Sequence, residues 1–163
     1  MPIRIGMVPT TTSGRWGFAL KPASWPKLLV PFLVGQGIGI DATGSLSIAG
    51  LALALAFTAL DIVFVVTLND WGDREVDAIK RRMFPHTSPK TIPDGVLPPG
   101  SLLLAGLVSG ALALALALVA HVFFQRAYAV PGVLAALGLF VAYTLPPLRL
   151  NYRGGGELLE ALG

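Results

Sequence analysis

The stretch Asn69-Asp70-Trp71-Gly72-Asp73-Arg74-Glu75-Val76-Asp77 holds four of the chain's nine acidic residues, directly after a long apolar run. Wound on one helix at about 100° per residue with Asn69 at zero, Asp73 falls at about 40°, Asp77 at about 80° and Asp70 at about 100°. Glu75 at about 240° and Trp71 at about 200° point elsewhere, while Lys80, if still helical, returns to about 20°. Three carboxylates and an amide therefore share a face. Clustered carboxylates repel one another and require a compensating cation, and an all-oxygen donor set suits a hard ion such as Mg²⁺ rather than zinc or copper. Mg²⁺ commonly binds through one or two carboxylates together with substrate phosphates, so the face predicts a Mg²⁺–diphosphate site with Asn69, Asp70, Asp73 and Asp77 as metal ligands. On spacing alone the alternative is a solvated acidic helix end beside basic residues that hold topology.

The elements that must position this motif are membrane helices. The 163 residues are 54% hydrophobic and 13% charged, with a mean hydropathy of +0.72, whereas a soluble domain has about a quarter charged residues. Four apolar segments are predicted to span: about 23–40, 46–68, 101–124 and 129–145, the last stopped by Pro146-Pro147. Pro26 and Pro31 predict a kink in the first, and Trp25 an interfacial anchor. Residues 1–21 read as a short, mostly irregular lead without the apolar core of a signal peptide. Gly154-Gly155-Gly156 precedes Glu157-Leu158-Leu159, which reads as the start of a fifth helix. Eleven of the twelve basic residues fall in the lead through the start of the first segment, where Lys27 lies, in the 69–100 loop or in the tail, and Arg126 stands alone on the other side. The positive-inside rule then puts the amino terminus and the acidic loop in the cytosol, in an integral membrane protein of a bacterial-type inner membrane. The fold expected is an all-α polytopic bundle. There is no cysteine, so thiolate metal sites and disulfides are excluded.

Asn-Asp-x-x-Asp-x-x-x-Asp at the end of the second apolar segment resembles the first Asp-rich motif of the UbiA-type intramembrane prenyltransferases. The wording from Asn69 to Ile79 is similar to chlorophyll-synthase-like members. The run Tyr143-Thr144-x-Pro146-Pro147-x-Arg149-Leu150, with Tyr152-Arg153-Gly154-Gly155-Gly156-Glu157, is similar to the dihydroxynaphthoate prenyltransferases of menaquinone synthesis. Lys21-Pro22 stands where the family often has Arg-Pro, and Lys90-Thr91 where it usually has Arg-Pro. The resemblance covers residues 22–163. It implies transfer of a prenyl group from an isoprenoid diphosphate to an aromatic acceptor, in quinone (ubiquinone or menaquinone) or related prenyl-lipid synthesis. It also implies that Asp73 and Asp77 are catalytic, holding the Mg²⁺ that assists diphosphate departure. The family fold has about nine helices, each needing about 20 apolar residues, and a second Asp-rich motif. This chain has neither, so the expectation is an N-terminal half, inactive alone.

Other residues are weaker candidates. Lys21, Lys80, Lys90 and Tyr143 are expected to bind substrate, Lys21 and Lys90 from their family positions and Lys80 from the acidic face; a lysine offers a phosphate a cation but no bidentate fork. Asp61, an ionisable residue inside the second apolar segment, is a candidate acceptor site or a helix-packing residue. Arg149 and Arg153 read as interfacial, and His86 and His121 lack partners at ligand spacing. Glycines 35, 37, 39, 106 and 110 are expected to allow close helix packing; no strand precedes them, so they are not a nucleotide loop. The partners expected are isoprenoid diphosphate, an aromatic acceptor and membrane lipid, with no nucleic acid. An oligomeric module admitting divalent cations and an inactive truncated product are the alternatives.

Overall fold

The computed structural model describes residues 8–154. Six α-helices follow in order: α1 (Thr12–Ala19), α2 (Trp25–Thr43), α3 (Ile48–Gly72), α4 (Arg74–Met83), α5 (Pro99–Phe124) and α6 (Ala129–Thr144). Single 3₁₀ turns occupy Pro22–Ser24 and Leu150–Tyr152, and there is no strand among the described residues. The fifth helix expected from Glu157 lies outside them.

The helix ends follow local chemistry. Thr11 and Ser47 cap α1 and α3 by accepting the N–H groups of Gly14 and Gly50. Gly44 closes α2 in the left-handed region at φ 68°, its N–H on the Ile40 carbonyl at 2.8 Å. In α4, Glu75 and Asp77 occupy the first turn and Lys80, Arg81 and Arg82 the last, the order that complements a helix dipole.

Among the described residues only α3, of 25 residues, and α5, of 26, are both long and apolar enough to cross a membrane. Their lengths are roughly 37 and 39 Å against a hydrocarbon core of about 30 Å. The apolar part of α2 (Leu29–Thr43) and all of α6 are shorter. Pro31 sits inside α2, while Pro26 falls in the first turn, where its missing N–H removes no helix bond.

The core lies between α3, α5 and α6, around Phe64, Leu68, Ala113, Ala117, Val133 and Leu137. Gly106 and Gly110 let α3 close on α5: a Cβ at Gly106 would lie 2.5 Å from Leu68 Cγ, and one at Gly110 2.9 Å from the Phe64 ring. This matches the packing expected of those two. Glycines 35, 37 and 39 do not behave that way, for a Cβ on each meets nothing within 4 Å. They face open space because α2 packs only loosely on α3.

The described part of the lead, residues 8–21, is largely helical rather than irregular. Its α1 docks Ala19, fully buried, against Val96, Leu97 and Leu102, with Trp16, Trp71 and Ile92 around them. That small cluster joins the lead to the 84–98 loop beside the acidic motif.

Candidate active site

The acidic motif straddles a joint. Gly72 ends α3, and Asp73, at φ −88° and ψ 0°, caps that helix and begins α4. The hydrogen-bond ladder still crosses it: Asp73 N–H donates to the Asn69 carbonyl at 2.9 Å, and Asp77 N–H to the Asp73 carbonyl at 2.8 Å. Asn69, Asp73 and Asp77, four residues apart, thus follow one another along one side. A Cβ on Gly72 would meet Thr144 Cγ2 at 2.8 Å, so glycine is what lets the end of α6 reach the joint. There Arg149 donates to the Gly72 carbonyl at 3.0 Å.

Each carboxylate is met by a different segment. Asp73 accepts from the Tyr152 hydroxyl at 2.6 Å and from the Asn69 amide at 3.4 Å. Burial and the adjoining Asp73 carboxylate push the Tyr152 phenol up to about 12, so it is a donor at neutral pH. Asp77 pairs with Lys90 at 3.0 Å. Asp70 is 5% exposed, with Lys21 Nζ on one oxygen and the Thr91 hydroxyl on the other. Lys21 adopts the left-handed conformation at φ 49°, just before the Pro22–Ser24 turn.

The loop carrying Lys90 is itself pinned. Lys90 N–H donates to Asp94 Oδ2 at 2.6 Å, and Asp94 Oδ1 accepts from Arg81 Nε at 2.9 Å. Arg81 also donates to the Pro85 and Thr87 carbonyls, closing the turn after α4.

Several sequence expectations change here. Asp70 was expected on one face with Asp73 and Asp77 but is buried among partners of its own. Among the described residues no three acidic or histidine side chains converge closely enough to hold an ion by themselves. Lys80 is exposed and makes no ion pair among the described residues, because α4 turns it to solvent. Lys21 and Lys90 do reach the motif. Glu75 stays apart, 68% exposed beside Arg74, whose guanidinium stacks 4.4 Å over Trp71. Tyr143 is half-buried in the last turn of α6. Asp61 is half-buried midway along α3, 12 residues or roughly 18 Å from Asp73, too far to meet the same group. Sequence reasoning gave no role to Thr91, Tyr152 or Lys27, and took Arg149 as merely interfacial. Tyr152 and Arg149 lay within the quoted 143–157 run, so the signal was present without its meaning.

Beside the motif, Lys21, Ser24, Lys27, Val65, Val66 and Asn69 line a cleft of about 270 Å³. Farther down the α2–α3 seam an apolar groove of about 300 Å³ runs between Leu20, Trp25 and Leu29 on one side and Leu55, Ile62 and Val63 on the other.

The description of one protein family, the UbiA prenyltransferase family, matches residues 28–162. The chain belongs to that family. Comparison with curated proteins and with solved structures returns no match. The match to the UbiA family covers α3, α4, α5 and α6 whole and almost all of α2, and so contains the motif, Lys90, Tyr143 and Tyr152. UbiA proteins are integral membrane prenyltransferases, which accounts for large side chains such as Leu33, Ile38, Leu104 and Val122, each more than 60% exposed in the chain taken alone.

Proposed function

We propose that the chain carries the diphosphate end of a prenyltransferase site, at which an isoprenoid diphosphate gives its prenyl group to an aromatic acceptor in quinone or related prenyl-lipid synthesis. The reading rests on one juxtaposition. Lys21, Lys27 and Asn69 line a polar cleft beside the apolar groove of the α2–α3 seam, and Asp73, bonded by the Asn69 amide, and Asp77, paired with Lys90, follow Asn69 along the same side.

The donor set fits Mg²⁺ of a particular kind. Two carboxylates and an amide oxygen on one side of a helix are too few for a protein cage, and suit an ion that completes its shell from water and substrate phosphate. When bound, Mg²⁺ would supply the charge stabilisation that makes diphosphate a better leaving group. The rest falls to this chain's own residues. Asp73 and Asp77 would hold the ion, and Asn69 would add a neutral oxygen. Lys21, Lys90 and Lys27 would offer cations to the diphosphate oxygens, as point charges on flexible stems. Tyr152 fixes the Asp73 carboxylate through a neutral phenol. The Leu20, Trp25 and Leu29 wall takes the apolar tail along the α2–α3 seam and keeps water from the departing carbon. Tyr143, half-buried near the end of α6, is a further candidate for the acceptor side. Asp61 is the acceptor-side candidate deeper in the bilayer, and Lys80 is left to headgroups and topology.

The same reading has α2, α3, α5 and α6 as four spans, the two short ones in a locally thinned or tilted setting, with the motif in the cytosol. The test is prenyl transfer by the full-length protein in Mg²⁺. Asp73→Ala and Asp77→Ala are each expected to lower turnover by on the order of a hundredfold or more, as removal of a group that stabilises developing charge does. Undiminished turnover in both variants would refute the assignment.

A further inference from the structure

We infer that Asp70 does not hold the metal ion but positions the two lysines of the site, Lys21 and Lys90. This rests on the reading of the site as a diphosphate site. Both Asp70 oxygens are engaged, one by the Lys21 ammonium and one by the Thr91 hydroxyl, and the residue is 5% exposed. To ligate an ion, Asp70 would have to lose Lys21. With its side chain only 6% exposed, Asp70 offers no opening to an ion and its water shell unless Lys21 is displaced, whereas Asp73 and Asp77 are each partly exposed.

What Asp70 does instead follows from where its partners come from. Lys21 sits in the left-handed region at φ 49°, a conformation a non-glycine residue holds only when its surroundings determine it. Local bonds hold that turn, the Lys21 carbonyl accepting from the Ser24 N–H and hydroxyl at 2.8 Å each, and the Asp70 pair fixes where the Lys21 ammonium lies. Thr91 is the chain neighbour of Lys90. Anchoring the Thr91 hydroxyl to Asp70 while Lys90 N–H is held by Asp94 leaves the Lys90 side chain aimed at Asp77. One buried carboxylate on α3 therefore sets a cation on each side of the acidic face, by two routes.

The two roles separate in a binding experiment that needs no turnover. Inorganic pyrophosphate is titrated into the full-length protein in detergent over a range of Mn²⁺ concentrations, and heat is recorded. For a ligand variant, Asp73→Asn, the Mn²⁺ concentration giving half-maximal pyrophosphate binding is expected to rise. For Asp70→Asn that concentration is expected to stay at the wild-type value while pyrophosphate affinity at saturating Mn²⁺ falls about tenfold, the scale of one charge-assisted hydrogen bond. Thr91→Val, which spares the Lys21 pair, is expected to give a smaller loss of the same kind and decides the matter should Asp70→Asn fail to fold. An Asp70→Asn variant that needs as much extra Mn²⁺ as Asp73→Asn overturns the inference. So does wild-type pyrophosphate affinity in both Asp70→Asn and Thr91→Val. Absence of Mn²⁺-dependent binding in the wild-type protein is a distinct result, and overturns the site reading itself.

Discussion

Tyr152 reaches Asp73 from 79 positions along the chain, and what it brings is a proton held firmly on oxygen. Burial opposes ionisation, and a phenolate beside the Asp73 carboxylate adds to that cost, so the folded-state pKa lies above the ordinary 10.0. For a group raised in this sense the stabilisation is complete below about pH 10 and is lost as pH climbs through about 12. In a spectrophotometric titration of the tyrosines, Tyr152→Phe is expected to remove a step near pH 12. If the step it removes lies at the ordinary value, the contact is not made in solution. Such pairings were invisible in the sequence. The motif's own spacing gave Asn69, Asp73 and Asp77 on one side and kept Glu75 away, because those relations are set within a turn or two of helix. It placed Asp70 with them for the same reason and missed its burial. That burial is made by Lys21 and Thr91, 49 and 21 residues away, and no local period encodes such a distance.

Helices differ in how plainly they announce themselves. The apolar runs behind α3, α5 and α6 are long and unbroken, and their positions were read to within a few residues, though α3 runs on to Gly72 as the motif's first residues join it. By contrast α1 is short and carries no apolar run, and its order comes from docking Ala19 under the 84–98 loop. Packing also separates glycines that look alike in sequence. At Gly106 an added methyl would enter the space of Leu68, which is buried to 1% exposure, so Gly106→Ala is expected to cost about 1–3 kcal/mol. At Gly39 the methyl meets nothing, and Gly39→Ala is expected to be neutral or to stabilise by up to about 1 kcal/mol through reduced chain freedom. Unfolding of the two variants in mixed micelles checks the contrast. Equal effects would mean that α2 is packed in the membrane as tightly as α5.

At the scale of the whole molecule, charge and shape agree on an orientation. The cleft with Lys21 and Lys27 lies at one end of the helices, and the loop from Gly44 to Ser47 lies at the other with Arg126 near Gly50. Lys21, Arg74, Lys90 and Arg149 gather at the acidic end. The proposed topology then places Gly44 outside the cytosol. A cysteine introduced at Gly44 is expected to react with a membrane-impermeant thiol reagent from outside intact cells, an informative label because the chain has no cysteine of its own. Labelling only after lysis would reverse the orientation.

The Gly72 carbonyl is held by Arg149, a residue 77 positions downstream, just past the end of α6. The angle between α3 and α4 is therefore not a private property of the motif. It is a bearing whose pin belongs to another helix, and Asn69 stands on one side of it while Asp77 stands on the other. The sequence can keep every oxygen donor and still lose their common aim. Drift at the end of α6 would detune the acidic face without altering a letter of it.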